Sequence, residues 1–196
     1  MSSRRAVAAL LLSAAIVTRC GYRFAAGGAP LPEGIREVYA PVFVNRTGTN
    51  PITRLGETYR AANEPGVEAI FTQAFREQLL RAGVAGSPNS EARIEGEILG
   101  VDTWPTVLTV AQSLASYRVS ARMRLRLVKN GRPLSTIDVS GFEDFIPSRE
   151  VAFTADGKTP IVEGDVLRTE TNRMSAIKRL AETMTRDGYD RLATGW

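Results

Sequence analysis

The stretch from Tyr117 to Lys129 limits what this chain can become more than any other. Tyr117, Val119, Ala121, Met123, Leu125 and Leu127 alternate with Arg118, Ser120, Arg122, Arg124 and Arg126. A strict period of two sends these sets to opposite sides of a pleated strand, one apolar and one charged. Asn130-Gly131 follows, a dipeptide that suits the left-handed positions of a tight hairpin turn. Leu134 to Phe142 is then the returning strand, with Ile137 and Val139 facing inward. A hairpin of this kind is marginal in water by itself, so its apolar face needs a cover from elsewhere in the chain.

Two stretches have the spacing to supply that cover. Val67 to Ala82 aligns Val67, Ile70, Phe71, Ala74, Phe75, Leu79 and Ala82 on one side, with Pro65 at its entry and Gly83 at its exit. A longer helix is predicted from Asp165 or Val166 to about Arg191, capped by Asp165. Its apolar stripe is Leu167, Thr171, Met174, Ile177, Leu180, Ala181 and Met184, and Gly188 is where it would break or fray.

Two further strands complete the set. Ile35 to Val44 alternates Val38, Ala40, Val42 and Val44 with Glu37, Tyr39, Pro41 and Phe43. Pro41 has no N–H for a ladder, which puts this strand at an edge or interrupts it. Asn89 to Val101 sets Ala92, Ile94, Gly96 and Ile98 against Arg93, Glu95 and Glu97. Residues 46–63 and 147–165 read as loops. Asp102 to Ser116, with Trp104, Pro105 and the run Val107-Leu108-Thr109-Val110, reads as a loop or irregular strand extension whose apolar content suggests an outside contact. The order strand, helix, three strands, helix predicts an α+β fold: a four-stranded, mainly antiparallel sheet with two helices packed on one face.

The beginning of the chain has the layout of an export signal: Arg4 and Arg5, then small and apolar residues from Ala6 to Val17, then Cys20. The apolar run is short for a membrane span. Residues 1–19 are read as signal peptide, 20–34 as anchor and flexible leader, and 35–196 as a single α+β domain. Cys20, the only cysteine, stands where a signal would be cut, so it is either a lipid attachment site or an incidental residue after an ordinary signal. Arg19 departs from the small residues that usually precede a lipidated cysteine, and Gly21, in place of aspartate, points to the outer membrane.

Composition excludes several chemistries. The net charge of +4 includes Arg4, Arg5 and Arg19, so the exported part is close to neutral and no nucleic-acid partner is expected. With no histidine, the commonest general base is missing, along with His-ligated zinc. One cysteine builds neither an intramolecular disulfide nor a thiolate cage. The expectation is no enzyme, no cofactor and no metal. An exported hydrolase would have to rest on a carboxylate pair such as Glu95 and Glu97, which alternate on a wet strand like ordinary surface charge.

The charged side of the opening strand is the candidate site. Arg118, Arg122, Arg124 and Arg126 lie about 7 Å apart per two-residue step. One reading is a solvated face with Glu95, Glu97, Asp138, Glu143 and Asp144 as cross-strand partners. The other is an anion-binding face, since guanidinium forks suit phosphate.

Several motifs resemble a known family. Cys20-Gly21-Tyr22-Arg23-Phe24, Leu31-Pro32-Glu33-Gly34-Ile35, Val38 to Phe43 with Asn45 and Thr47, and Pro65-Gly66-Val67-Glu68 with Thr72, Phe75 and Leu79 are similar to the lipopolysaccharide-assembly lipoproteins of the LptE family. The likeness in element order spans the exported chain, and the specific motifs occupy its first third. Residues 46–63 are longer than the link usual in that family. The resemblance implies a non-enzymatic protein, lipid-anchored on the periplasmic side of the cell outer membrane. It implies association with the β-barrel LptD, support of that barrel's assembly, and binding of lipopolysaccharide in transit to the outer leaflet. The family's lipid contacts match no individual positions here, so Arg118, Arg122, Arg124 and Arg126 as lipopolysaccharide-binding residues follow from the strand pattern alone. A reading from another class is an outer-membrane lipoprotein that scaffolds a different assembly or secretion machine without binding lipopolysaccharide.

Overall fold

The computed structural model describes residues 31–48, 51–54, 57–60, 63–108, 114–153 and 160–195. In chain order the elements are β1 (Val38–Tyr39), β2 (Val44–Asn45), β3 (Pro51–Arg54), β4 (Glu57–Arg60), α1 (Val67–Arg81), β5 (Ala92–Leu108), β6 (Leu114–Lys129), β7 (Arg132–Phe145), β8 (Arg149–Phe153), β9 (Pro160–Gly164) and α2 (Val166–Thr194). A 3-10 turn at Pro32–Gly34 precedes them.

The period-two strand is the centre of the sheet. β6 runs antiparallel to β5 on one side and to β7 on the other. Asn130 and Gly131 both take positive φ, 50° and 78°, as a primed hairpin turn requires. Val119, Ala121, Met123, Leu125 and Leu127 are all buried, facing the same way as Ile94, Ile98 and Val139. Both helices cover this one side. The fold is therefore α+β as expected, with a fifth strand segment, because the first strand is split in two.

That split lies at Pro41 and changes which residues are buried. β1 and β2 both pair in parallel with β5, Tyr39 against Arg93 and Val44 against Glu97. Five steps along the first strand thus match four along β5, and one extra residue in a strand exchanges its faces. Val38 and Ala40 point into the core, but so does Phe43, while Val42 and Val44 are exposed. The continuous alternation expected for Ile35 to Val44 fails at this point. α1 takes up the backbone groups the ladder cannot use: Thr72 Oγ1 accepts from Phe43 N–H at 2.9 Å, and Arg76 Nε donates to the Ala40 carbonyl at 2.9 Å.

α1 ends where Gly83 predicts. Gly83 has φ +71°, and Gly83 and Val84 donate to the carbonyls of Leu80 and Leu79, each at 3.0 Å, which is a Schellman closure. α2 is capped by Asp165, whose carboxylate accepts from Arg168 N–H at 2.9 Å. It does not break at Gly188. A Cβ there would lie 2.6 Å from Leu125 Cδ1, so glycine lets the helix approach the sheet closely. The expected stripe is corrected at its start, where Leu167 and Thr171 are exposed because the first two turns of α2 overhang the core. Burial sets in at Ala176 and continues through Leu180, Ala181 and Met184 to Leu192.

Three predicted irregular stretches contain strands. The 46–63 excursion holds the β3–β4 hairpin, and 147–165 holds the β8–β9 hairpin. β5 continues through Pro105 to Leu108, paired with β6. A polar cluster closes the base of the first excursion. The buried Thr47 hydroxyl donates to Asn45 Oδ1 at 2.7 Å and accepts from Glu64 N–H at 2.9 Å, while Asn45 Nδ2 donates to the Glu64 carbonyl and to Glu68. Glu64 in turn holds Arg173 of α2 at 2.5 Å. The Asn-x-Thr motif is thus the clasp between the split strand and the start of α1.

Candidate functional site

The face of the sheet opposite the helices holds the predicted arginines. Pairing across β5, β6 and β7 makes a grid of side chains in which each rung can be read from the register. Glu97, Arg124 and Asp138 form one rung; Gly100, Arg122 and Ser140 the next; then Asp102, Ser120 and Phe142; then Trp104, Arg118 and Asp144. The outward set of β5 changes parity between Glu97 and Gly100 because of a bulge at Leu99. That one residue brings Asp102 and Trp104 onto the arginine face.

The four arginines are not equivalent. Arg118 forms a two-pronged contact with Asp144, Nε to Oδ1 at 2.7 Å and Nη2 to Oδ2 at 2.9 Å. Arg124 holds Asp138 in the same way and at the same distances. Arg126 lies 3.7 Å from Glu95, which Arg93 also contacts at 2.7 Å. Arg122 is exposed, and its side chain makes no ion pair or hydrogen bond among the described residues. Carboxylates thus partner three of the arginines, and Arg122 stands exposed without such a contact.

The charges respond accordingly. The hydrogen bond from Arg124 holds the Asp138 carboxyl below the usual carboxylate range, and the nearby charges of Arg124, Arg122 and Arg191 add to the effect. Asp144 is lowered in the same sense by its hydrogen bond from Arg118. Arg118 and Arg124 are raised by the same contacts. Their guanidinium groups are committed to carboxylates at neutral pH, which leaves Arg122 as the cation facing solvent at the middle of the stripe.

Around Arg122 the sheet forms a cavity of about 890 Å³. Gly100, Ser120 and Ser140 give it small lining residues, Trp104 and Phe142 line it with rings, and Leu180, Thr183, Met184 and Asp187 line it from α2. The Arg118 guanidinium sits 3.9 Å above the Phe142 ring centroid, and Phe142 is 58% exposed. Trp104 and Phe142 were not among the predicted site residues. Phe142 was legible from its parity with Asp138 and Ser140, whereas Trp104 was hidden by Pro105 beside it and by the bulge before it.

Cys20 lies outside the described residues. Among the described residues no His, Cys, Asp and Glu group could hold a metal ion, and no helix is long and apolar enough to cross a membrane.

The chain matches a family model, LptE, described as Lipopolysaccharide-assembly, over residues 35–192. Solved structures that align with this chain include rare lipoprotein B from Shewanella oneidensis, 10% identical, covering 81% of this chain and 92% of that one with a TM-score of 0.41. A minor lipoprotein from Acinetobacter baumannii is 7% identical over 82% and 93% of the two chains, TM-score 0.47. Lipoprotein B from Nitrosomonas europaea is 13% identical over 89% and 92%, TM-score 0.41. No curated protein matches the sequence.

Proposed function

This chain belongs to the LptE family of lipopolysaccharide-assembly proteins, and from that premise we propose that it is an outer-membrane lipoprotein that binds lipopolysaccharide beside the β-barrel LptD. Cys20 is its lipid attachment site and holds it on the periplasmic side. Its part is contact, not catalysis: it supports assembly of the barrel and receives lipopolysaccharide on the way to the outer leaflet.

The observation that supports this reading most is the open sheet face. A sheet with both helices on one side leaves the other for a partner, and here that face carries Arg118, Arg122, Arg124 and Arg126 in line. Arg122 offers an unpaired fork to phosphate, and a charge-assisted bond of that kind is stronger than a neutral one. The paired arginines exchange a carboxylate for a phosphate, which gains less because the existing contact must first be given up.

The test is co-purification. Full-length protein extracted from membranes in mild detergent is expected to retain a large outer-membrane barrel and lipopolysaccharide. Arg122→Glu lowers the lipopolysaccharide retained by at least about tenfold while barrel retention and folding are unchanged. Equal retention by the variant removes the arginine face from the proposal, and a chain that emerges without the barrel removes LptD. Intact mass of the extracted protein reports on Cys20: a bare polypeptide rules out the anchor.

A further inference from the structure

We infer that the cleft around Arg122 is a saccharide site, taking a sugar ring that carries an anionic substituent. The inference rests on the lipopolysaccharide reading above and goes further by assigning which part of such a molecule this chain holds. The residues themselves favour a sugar. Phe142 is held from one side by the Arg118 guanidinium, at 3.9 Å, and Arg118 is itself fixed by two hydrogen bonds from its fork to Asp144. The ring is therefore positioned, yet 58% of the residue remains exposed. An immobilised aromatic ring with an open face is a platform on which the C–H side of a pyranose can lie, at little entropic cost to the protein.

The surroundings carry the polar half of the match. Ser120 is the direct neighbour of Phe142 across the sheet and Ser140 the neighbour of Arg122, so hydroxyls flank both the ring and the cation. Gly100, on the far side of Arg122, adds no side chain and leaves room for a ligand to reach the sheet. Arg122 then takes the anionic substituent one rung away from Phe142. The cavity, about 890 Å³, lies within the range of small-molecule sites.

The test uses the full chain and four probes: lipopolysaccharide stripped of its acyl chains, the same oligosaccharide after phosphatase treatment, inorganic phosphate, and phosphatidylglycerol vesicles. Binding is followed by calorimetry. The deacylated oligosaccharide is expected to bind. Phe142→Ala weakens it about tenfold with or without phosphate, and Phe142→Trp retains it. Arg122→Gln weakens only the phosphorylated form, also about tenfold. The inference is overturned if Phe142→Ala binds as wild type does. It is overturned equally if inorganic phosphate alone displaces the oligosaccharide at matched concentration, or if both variants lose vesicle binding to the same degree as saccharide binding. A chain that holds intact lipopolysaccharide but not the deacylated form sinks the saccharide cleft alone. One that holds neither sinks the lipopolysaccharide reading with it.

Discussion

Gly96 shows how much a single position can carry in this sheet. It lies on the core side of β5, and a Cβ there would stand 2.5 Å from the Phe43 ring. Phe43 is buried and tilted against Phe75 at 5.6 Å between centroids, so the ring has little room to retreat. Gly96→Ala is therefore expected to destabilise the protein by about 1–3 kcal/mol, as overpacking does. The midpoint of a urea titration would register it, and an unchanged midpoint would mean that the ring moves freely. A strand pattern reveals that Gly96 faces inward, but nothing in it shows that Phe43 fills the space. That contact depends on the face exchange at Pro41, which pairs a side chain expected outside with a glycine expected only to be small.

Among the elements, the regular ones were legible and the shifts between them were not. β6, the Asn130-Gly131 turn and both helical stripes follow from periodicity, because each buries one face against one neighbour. The bulge at Leu99 and the extra residue near Pro41 each reverse a face without leaving a compositional trace; the second exchanges Phe43 with Val42 and Val44, and the first brings Asp102 and Trp104 to the arginine face. Hairpins β3–β4 and β8–β9 escaped notice since their strands are short and carry no sustained alternation. α2 offers a direct comparison. Leu167 and Leu180 belong to the same stripe, yet Leu167 is 82% exposed and Leu180 is 1% exposed. Leu180→Ala is expected to cost about 2–5 kcal/mol, and Leu167→Ala to change stability by less than about 0.5 kcal/mol. Thermal or denaturant unfolding of the two variants measures the difference, and a large loss at Leu167 would mean that the overhang is packed against something.

At the scale of the whole molecule, the two sides of the sheet divide the work: one buries the core under α1 and α2, and the other displays charge. Acid should act on the second side first. Asp138 and Asp144 titrate below the ordinary carboxylate value in the folded protein because Arg124 and Arg118 donate hydrogen bonds to them. A depressed folded value means that the unfolded chain binds the proton more readily, so these pairs add stability above about pH 3.9, the unperturbed aspartate value. That stability fades as pH falls through the lower folded values. Both carboxylates are half-exposed, so the contribution is small and salt weakens it. With no histidine in the chain, no side chain has an ordinary titration between pH 5 and 8. Stability is accordingly expected to be flat across that range. The gap in denaturation midpoint between wild type and an Asp138→Asn, Asp144→Asn double variant should be constant above pH 5 and close in strong acid. A gap that persists at pH 2 would mean that the asparagines damage packing instead of removing charge. The arginine face would then owe its order to side-chain shape, with its pairing to carboxylates incidental.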